Sequence, residues 1–344
     1  MRFTKKDLDW AAETRVITPE VRDSLVDAFQ QKYADKPSLS FANVLYYLGG
    51  LIVIGSMTLY VSTAWKDLGG IGHLAVALLY AGAFLLAGRW LWKGKGQIIP
   101  GGILITAAVC MTPMAVYGVQ EVTGWWVWNE PGAYSDFYRW IKSGWFIMEV
   151  STIVAGLAAL RWCRFPFIML PVAFSLWFMS MDVTAVLYGP EFSWEQRKLV
   201  SVWFGLVMLV GSFLVDRRTE QDFAFWGYLF GMFAFWGGLT SMDSDTELGK
   251  FMYCFINLLL IGVSVLVQRR VFIVFGGIGV SIYIGHLAYD VFESELLFAF
   301  ALSCVGLAVI ALGLQYHRHK ESIESKVVNL LPEAMKRSLP QFRR

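Results

Sequence analysis

Charge is what this sequence has least of. Only 16% of its 344 residues are charged, where a soluble domain carries about 25%, so an ordinary water-facing globule is excluded. Apolar and polar residues do not alternate over stretches of about ten positions, which excludes a transmembrane β-barrel. The four cysteines, Cys110, Cys163, Cys254 and Cys304, lie in or beside apolar runs without CxxC spacing. No disulfide framework follows from them, and they read as small packing residues. No apolar stretch near Met1 could serve as a cleavable signal peptide. There is no HExxH motif, no paired Cys/His spacing and no nucleophile elbow. No metal, cofactor or catalytic residue is therefore expected, and nothing marks an enzyme. The basic residues form no patch suited to nucleic acid, and no such partner is expected.

What the chain does have is hydrophobic residues, 56% of the total, gathered into long runs. About 20 apolar residues are needed for a helix to cross a hydrocarbon core of about 30 Å. Ten such runs fall at roughly 43–63, 72–92, 98–119, 143–160, 166–187, 199–215, 223–240, 251–267, 271–288 and 296–316. The expected fold is an all-α polytopic membrane bundle of about ten transmembrane helices spanning residues 41–316. Residues 1–40 are expected to form a helical head. Within it Thr18-Pro19-Glu20 reads as a helix start, with Thr18 as cap, Pro19 at the first helical position and Glu20 in the first turn. Residues 317–344 form a basic amphipathic tail suited to lie on anionic membrane lipids.

The charges that remain give the chain an orientation. With ten crossings both tails share a side, and 23 of the 29 lysines and arginines fall there, against 6 in the opposite loops. The positive-inside rule then makes head and tail cytoplasmic. Most loop carboxylates, among them Glu121, Glu130, Asp243, Glu247 and Asp290, fall on the other side. In style the sequence reads as bacterial, with the inner membrane as its location.

The head leads into a glycine-rich first run that closes on a tryptophan: Val16-Ile17-Thr18-Pro19-Glu20, then Leu48-Gly49-Gly50, Gly55 and Ser62-Thr63-Ala64-Trp65. Over about the first 90 residues this pattern resembles the bacterial membrane-protein family catalogued as domain of unknown function 2157. The resemblance implies a multi-pass inner-membrane protein and no known activity.

Ionisable residues inside a bilayer cost about 2.5–3.5 kcal/mol or more, so they are functional candidates. Glu149 and Asp182 are the carboxylates within apolar runs, both toward the outer ends of their helices. His73 and His286 stand at outer helix ends, and Asp290 follows His286 by four residues, on the same helix face. These five residues share one depth and could form a substrate or proton site, since two carboxylates in a low dielectric split their pKa values. The outer loop 120–142 adds the aromatics Trp125, Trp126, Trp128 and Trp140, which suit the headgroup level. Asn43, Asn257 and the glycine pairs read as helix-packing features.

Two functions fit this pattern. One is a transporter- or flippase-like protein with an outward polar pocket around Glu149, Asp182 and His286. The other is a non-transporting accessory protein whose head and tail recruit a cytoplasmic partner. Neither substrate, coupling ion nor oligomeric state can be read from the sequence.

Overall fold

The computed structural model describes residues 5–33, 41–126, 145–188, 193–219, 221–242, 244, 246–287, 299–300, 303, 306–307, 314 and 318. Every regular element among them is helical: α1 (Lys5–Glu13), α2 (Pro19–Tyr33), α3 (Phe41–Arg89), α4 (Ile98–Cys110), α5 (Thr112–Thr123), α6 (Phe146–Trp162), α7 (Met169–Tyr188), α8 (Trp194–Arg218), α9 (Phe225–Thr240), α10 (Glu247–Val267) and α11 (Arg270–His286). A π-helical turn follows α3 and a 3-10 turn precedes α7. Hydrocarbon offers no hydrogen bonds, so a spanning segment must satisfy its backbone internally, as a helix does.

Five stretches among the described residues are long and apolar enough to cross a membrane: Gly69–Gly94, Ile98–Thr123, Pro166–Thr184, Trp194–Arg218 and Glu247–Val267. The shorter α11 is also apolar. The first nine apolar runs coincide with helical stretches. The tenth run and the tail lie outside the described residues, apart from isolated positions. The runs expected at 43–63 and 72–92 form two helices that meet within α3 at a kink, where the backbone of Gly69 is non-helical (φ 57, ψ 174). That conformation suits a residue without a Cβ. In the head, the Val21 amide donates to Thr18 Oγ1 at 3.3 Å, and Arg22 of α2 bridges to Asp9 of α1.

The chain divides into two compact units, the first holding α1–α6 with the start of α7, the second the rest of α7 through α11. In the first unit the stretch of α3 after Gly69 runs antiparallel to α4 and α5, and glycines set the spacing. A Cβ on Gly118 would stand 2.6 Å from the Leu74 nitrogen and 2.8 Å from the Gly70 oxygen; one on Gly101 would stand 2.9 Å from the Gly88 oxygen. Ile103, Ile105 and Val109 of α4 pack with Ala159 of α6 and with Phe165 and Ile168 beyond it.

In the second unit α8 and α9 meet in the same way. A Cβ on Gly205 would collide with the backbone of Phe235 and reach the Gly231 oxygen at 2.8 Å. Asn257 of α10, fully buried, ties α9 to α10: it accepts a 2.9 Å bond from Trp236 Nε1 of α9 and donates at 2.8 Å to the Tyr253 carbonyl one turn back on its own helix. The glycine run Gly276–Gly279 stays helical and gives Asn257 the room it needs, since a Cβ on Gly276 would lie 2.7 Å from its carbonyl oxygen. The opposite end is locked by charge. Arg269, between α10 and α11, donates through Nε at 3.0 Å to buried Asp216 and pairs at 2.8 Å with Asp222, its guanidinium standing over the Tyr228 ring. Burial opposes the Arg269 charge, but the bonds to Asp216 and Asp222 outweigh it and hold the guanidinium above its ordinary pKa.

Two substitutions check this packing. Gly205→Val is expected to cost about 1–3 kcal/mol by overpacking, read as earlier thermal unfolding in detergent, while Gly211→Val on the same helix, where a Cβ meets nothing within 4 Å, leaves unfolding unchanged. Asp216→Asn strips Arg269 of a buried partner and is expected to cost about 3–5 kcal/mol. Adding Arg269→Gln to it recovers part of that loss; an additive double variant contradicts the pairing.

Candidate functional site

The antiparallel arrangement of the first unit brings the start of one helix against the end of another. His73, one turn past the Gly69 break and 1% exposed, places Nδ1 at 3.0 Å from Glu121 Oε2 near the end of α5. Tyr117, one turn before Glu121, meets the imidazole edge-on, with ring centroids 5.3 Å apart. Trp126, just past α5, packs on Tyr117 at 5.6 Å. Residues 117, 120 and 121 share a helix face by their spacing. Gln120 is 2% exposed, and neither its amide nitrogen nor its oxygen has a hydrogen-bond partner among the described residues.

Glu149 belongs to the same end of this unit. The later turns of α6, from Ala155, lie alongside Val109 and the Arg89 end of α3. Glu149, nearly two turns earlier on α6, is therefore directed toward the His73 end. It is 5% exposed, and Thr152, one turn on, is also buried. The first unit thus has a polar end, with His73, Gln120, Glu121 and Glu149, and a basic end, with Arg89, Lys93 and Arg161.

The remaining candidates lie in the second unit. Asp182 on α7 is 6% exposed and accepts a hydrogen bond from the Trp145 backbone, while its Oδ2 has no partner among the described residues. The Trp145 ring packs on Phe178, one turn before Asp182, at 6.4 Å. His286 closes α11, and its Nε2 lies 3.2 Å from Oε2 of Glu247, whose other oxygen bonds Lys250 at 2.9 Å. Asp290, Trp128 and Trp140 lie outside the described residues. Trp125 is exposed. Among the described residues no three histidine, cysteine or acidic side chains gather where they could hold a metal ion.

Structure adds partners that the sequence reading did not single out. In the sequence Glu121, which partners His73, and Glu247, which partners His286, read only as outer-loop charge, and Gln120 carries no signal of its own. The one available signal was the spacing Tyr117, Gln120, Glu121, which sets an aromatic, an amide and a carboxylate on one face at the end of an apolar run. Chemically, a histidine against a carboxylate can hold or pass a proton. A buried amide with both functions open can donate to and accept from a bound polar group.

An unsatisfied buried amide costs about 1–3 kcal/mol. Gln120→Leu, close in shape, is therefore expected to raise the melting temperature of the purified protein. A lower melting temperature would mean that the amide is already satisfied.

Set beside known proteins, the chain matches no family model, and neither the curated proteins nor the solved structures contain a significant match to it.

Proposed function

We propose that this is a multi-pass protein of the bacterial inner membrane, transporter- or flippase-like, with ten transmembrane helices and both termini in the cytoplasm. Its polar pocket opens outward and is built on His73, Gln120, Glu121 and Glu149, with Asp182 and His286 as further polar positions in the second unit. The 23-to-6 division of basic residues supports the orientation. We also place the chain with the family of domain of unknown function 2157, on the motifs of its first 90 or so residues.

One observation carries the transport reading: a fully buried glutamine whose amide nitrogen and oxygen have no partner among the described residues, one residue from a His–Glu pair and in the same unit as buried Glu149. Buried polar groups are retained against their cost where they serve a ligand or an ion path. In this reading Gln120 recognises a small polar solute or headgroup, and Glu149 and the His73–Glu121 pair take up and release the coupled proton.

A specific observation also favours the accessory reading. The head exposes Trp10, Val16 and Val21, apolar side chains open to contact with a cytoplasmic partner. If the head recruits a cytoplasmic partner, removing residues 1–38 leaves a stable membrane protein that no longer copurifies with it; an undiminished complex would sink this alternative.

The transport reading is tested by thermal-shift screening of the purified protein against small polar solutes and soluble headgroup analogues. Counterflow of each labelled hit in proteoliposomes follows. At least one hit is expected to stabilise the native protein, and Gln120→Leu and Glu149→Gln are expected to abolish both stabilisation and counterflow while the variants remain folded. Hits that bind and move equally well in both variants, or a screen without hits, contradict it.

A further inference from the structure

The first unit contains a second feature, distinct from the polar end. A cavity of about 810 Å³ lies between α3, α4 and α6 and includes the basic residues Arg89, Lys93 and Arg161 in its lining; its volume is within the range of about 300–1,000 Å³ typical of small-molecule sites. Its walls are apolar, and its size comes from alanines at helical spacing: Ala81 on α3, Ala108 on α4, and Ala155, Ala158 and Ala159 on α6. Each stops at Cβ where a larger side chain would have closed the gap. Protein interiors are otherwise packed like organic crystals, and an apolar gap of this size forfeits contact on every wall. In a bilayer, the material that fills it is an acyl chain.

The charged part of the lining carries the complementary signal: Arg89, Lys93 and Arg161 line the cavity, and no carboxylate does. No acidic side chain among the described residues pairs with any of the three. The positive charge of Lys93 and Arg89 is felt at the Cys163 thiol, also on the wall, although burial acts more strongly and raises its pKa. Trp162 is strongly exposed beside them, and Lys95 covers the nearby Trp90 ring at 5.2 Å. Tryptophans with lysines and arginines mark the headgroup level of a membrane. From that level the apolar cavity runs inward.

We propose that this cavity binds one anionic phospholipid, an acyl chain between the alanine faces and the phosphate on Arg89, Lys93 and Arg161. The assignment is independent of the transport reading, since it uses neither Glu149 nor Gln120 and holds for a scaffold equally well.

Native mass spectrometry of the detergent-purified full chain tests it, with phosphatidylglycerol and phosphatidylcholine of identical acyl chains as probes. One phosphatidylglycerol is expected to bind saturably and in preference to phosphatidylcholine. Arg89→Gln with Arg161→Gln is expected to weaken that binding about thirtyfold, the loss due to two interfacial cations. Arg89→Lys with Arg161→Lys retains the preference, which separates lost charge from lost folding. Ala158→Trp, filling the cavity, removes the saturable site for both lipids. Inorganic phosphate at millimolar concentration does not displace the lipid. Equal binding of the two lipids, an unchanged preference after charge removal, or displacement by phosphate alone would each overturn the proposal.

Discussion

Close approach of backbone to backbone holds this protein together. In a hydrocarbon solvent apolar side chains gain nothing by leaving lipid for one another, so helices associate through tight packing and polar bonds across it. The glycines supply the tight packing. At Gly118, Gly101, Gly205 and Gly276 even one added carbon would fall within 3 Å of a neighbouring backbone atom. Once helices lie that close, a buried polar group can reach across, and Asn257 of α10 does so to Trp236 of α9 while packing against the glycines of α11. The same logic explains the cavity in the first unit. Alanine, without a partner backbone drawn in against it, keeps the helices apart but does not fill the space between them.

The first unit shows how one small bundle separates two chemistries along its length. Its polar end buries His73, Gln120 and Glu149, at a cost that packing alone does not repay. Its other end exposes Arg89, Lys93 and Arg161 around an apolar cavity. In the second unit, the Asp216–Arg269–Asp222 cluster closes one end instead, with its charges satisfied by one another. There the charged residues serve structure; at the polar end of the first unit Gln120 has no hydrogen-bond partner among the described residues.

Much of this was legible in the sequence, and the rest was hidden for identifiable reasons. Apolar runs of membrane-spanning length locate helices well because the bilayer leaves few alternatives, and the cap at Thr18 is a local signal that the structure repeats. Only the form of the junction within α3 was not legible: residues 64–71 contain Lys66 and Asp67 and read as a loop between two helices, whereas the two helices meet directly at a kink on Gly69. Glu149, Asp182 and His73 stood out because charge is rare in apolar runs. Their partners did not, because Glu121 and Glu247 sit at helix ends, where a carboxylate looks like ordinary interfacial charge. Arg269 looked like a topology signal and proves to be the half-buried ion-pair partner of buried Asp216. The cavity was unreadable for another reason, since alanine spacing on three separate helices means nothing until the helices are brought together.

The central claim is that the polar and basic ends of the first unit face opposite sides of a membrane. Side-specific labelling tests it most directly. In a background with the four native cysteines replaced, Val122→Cys marks the polar end and Lys93→Cys the basic end. A membrane-impermeant maleimide applied to intact cells is expected to modify position 122 and to reach position 93 only after the membrane is opened. Modification of both positions in intact cells, or of position 93 alone, would contradict the account.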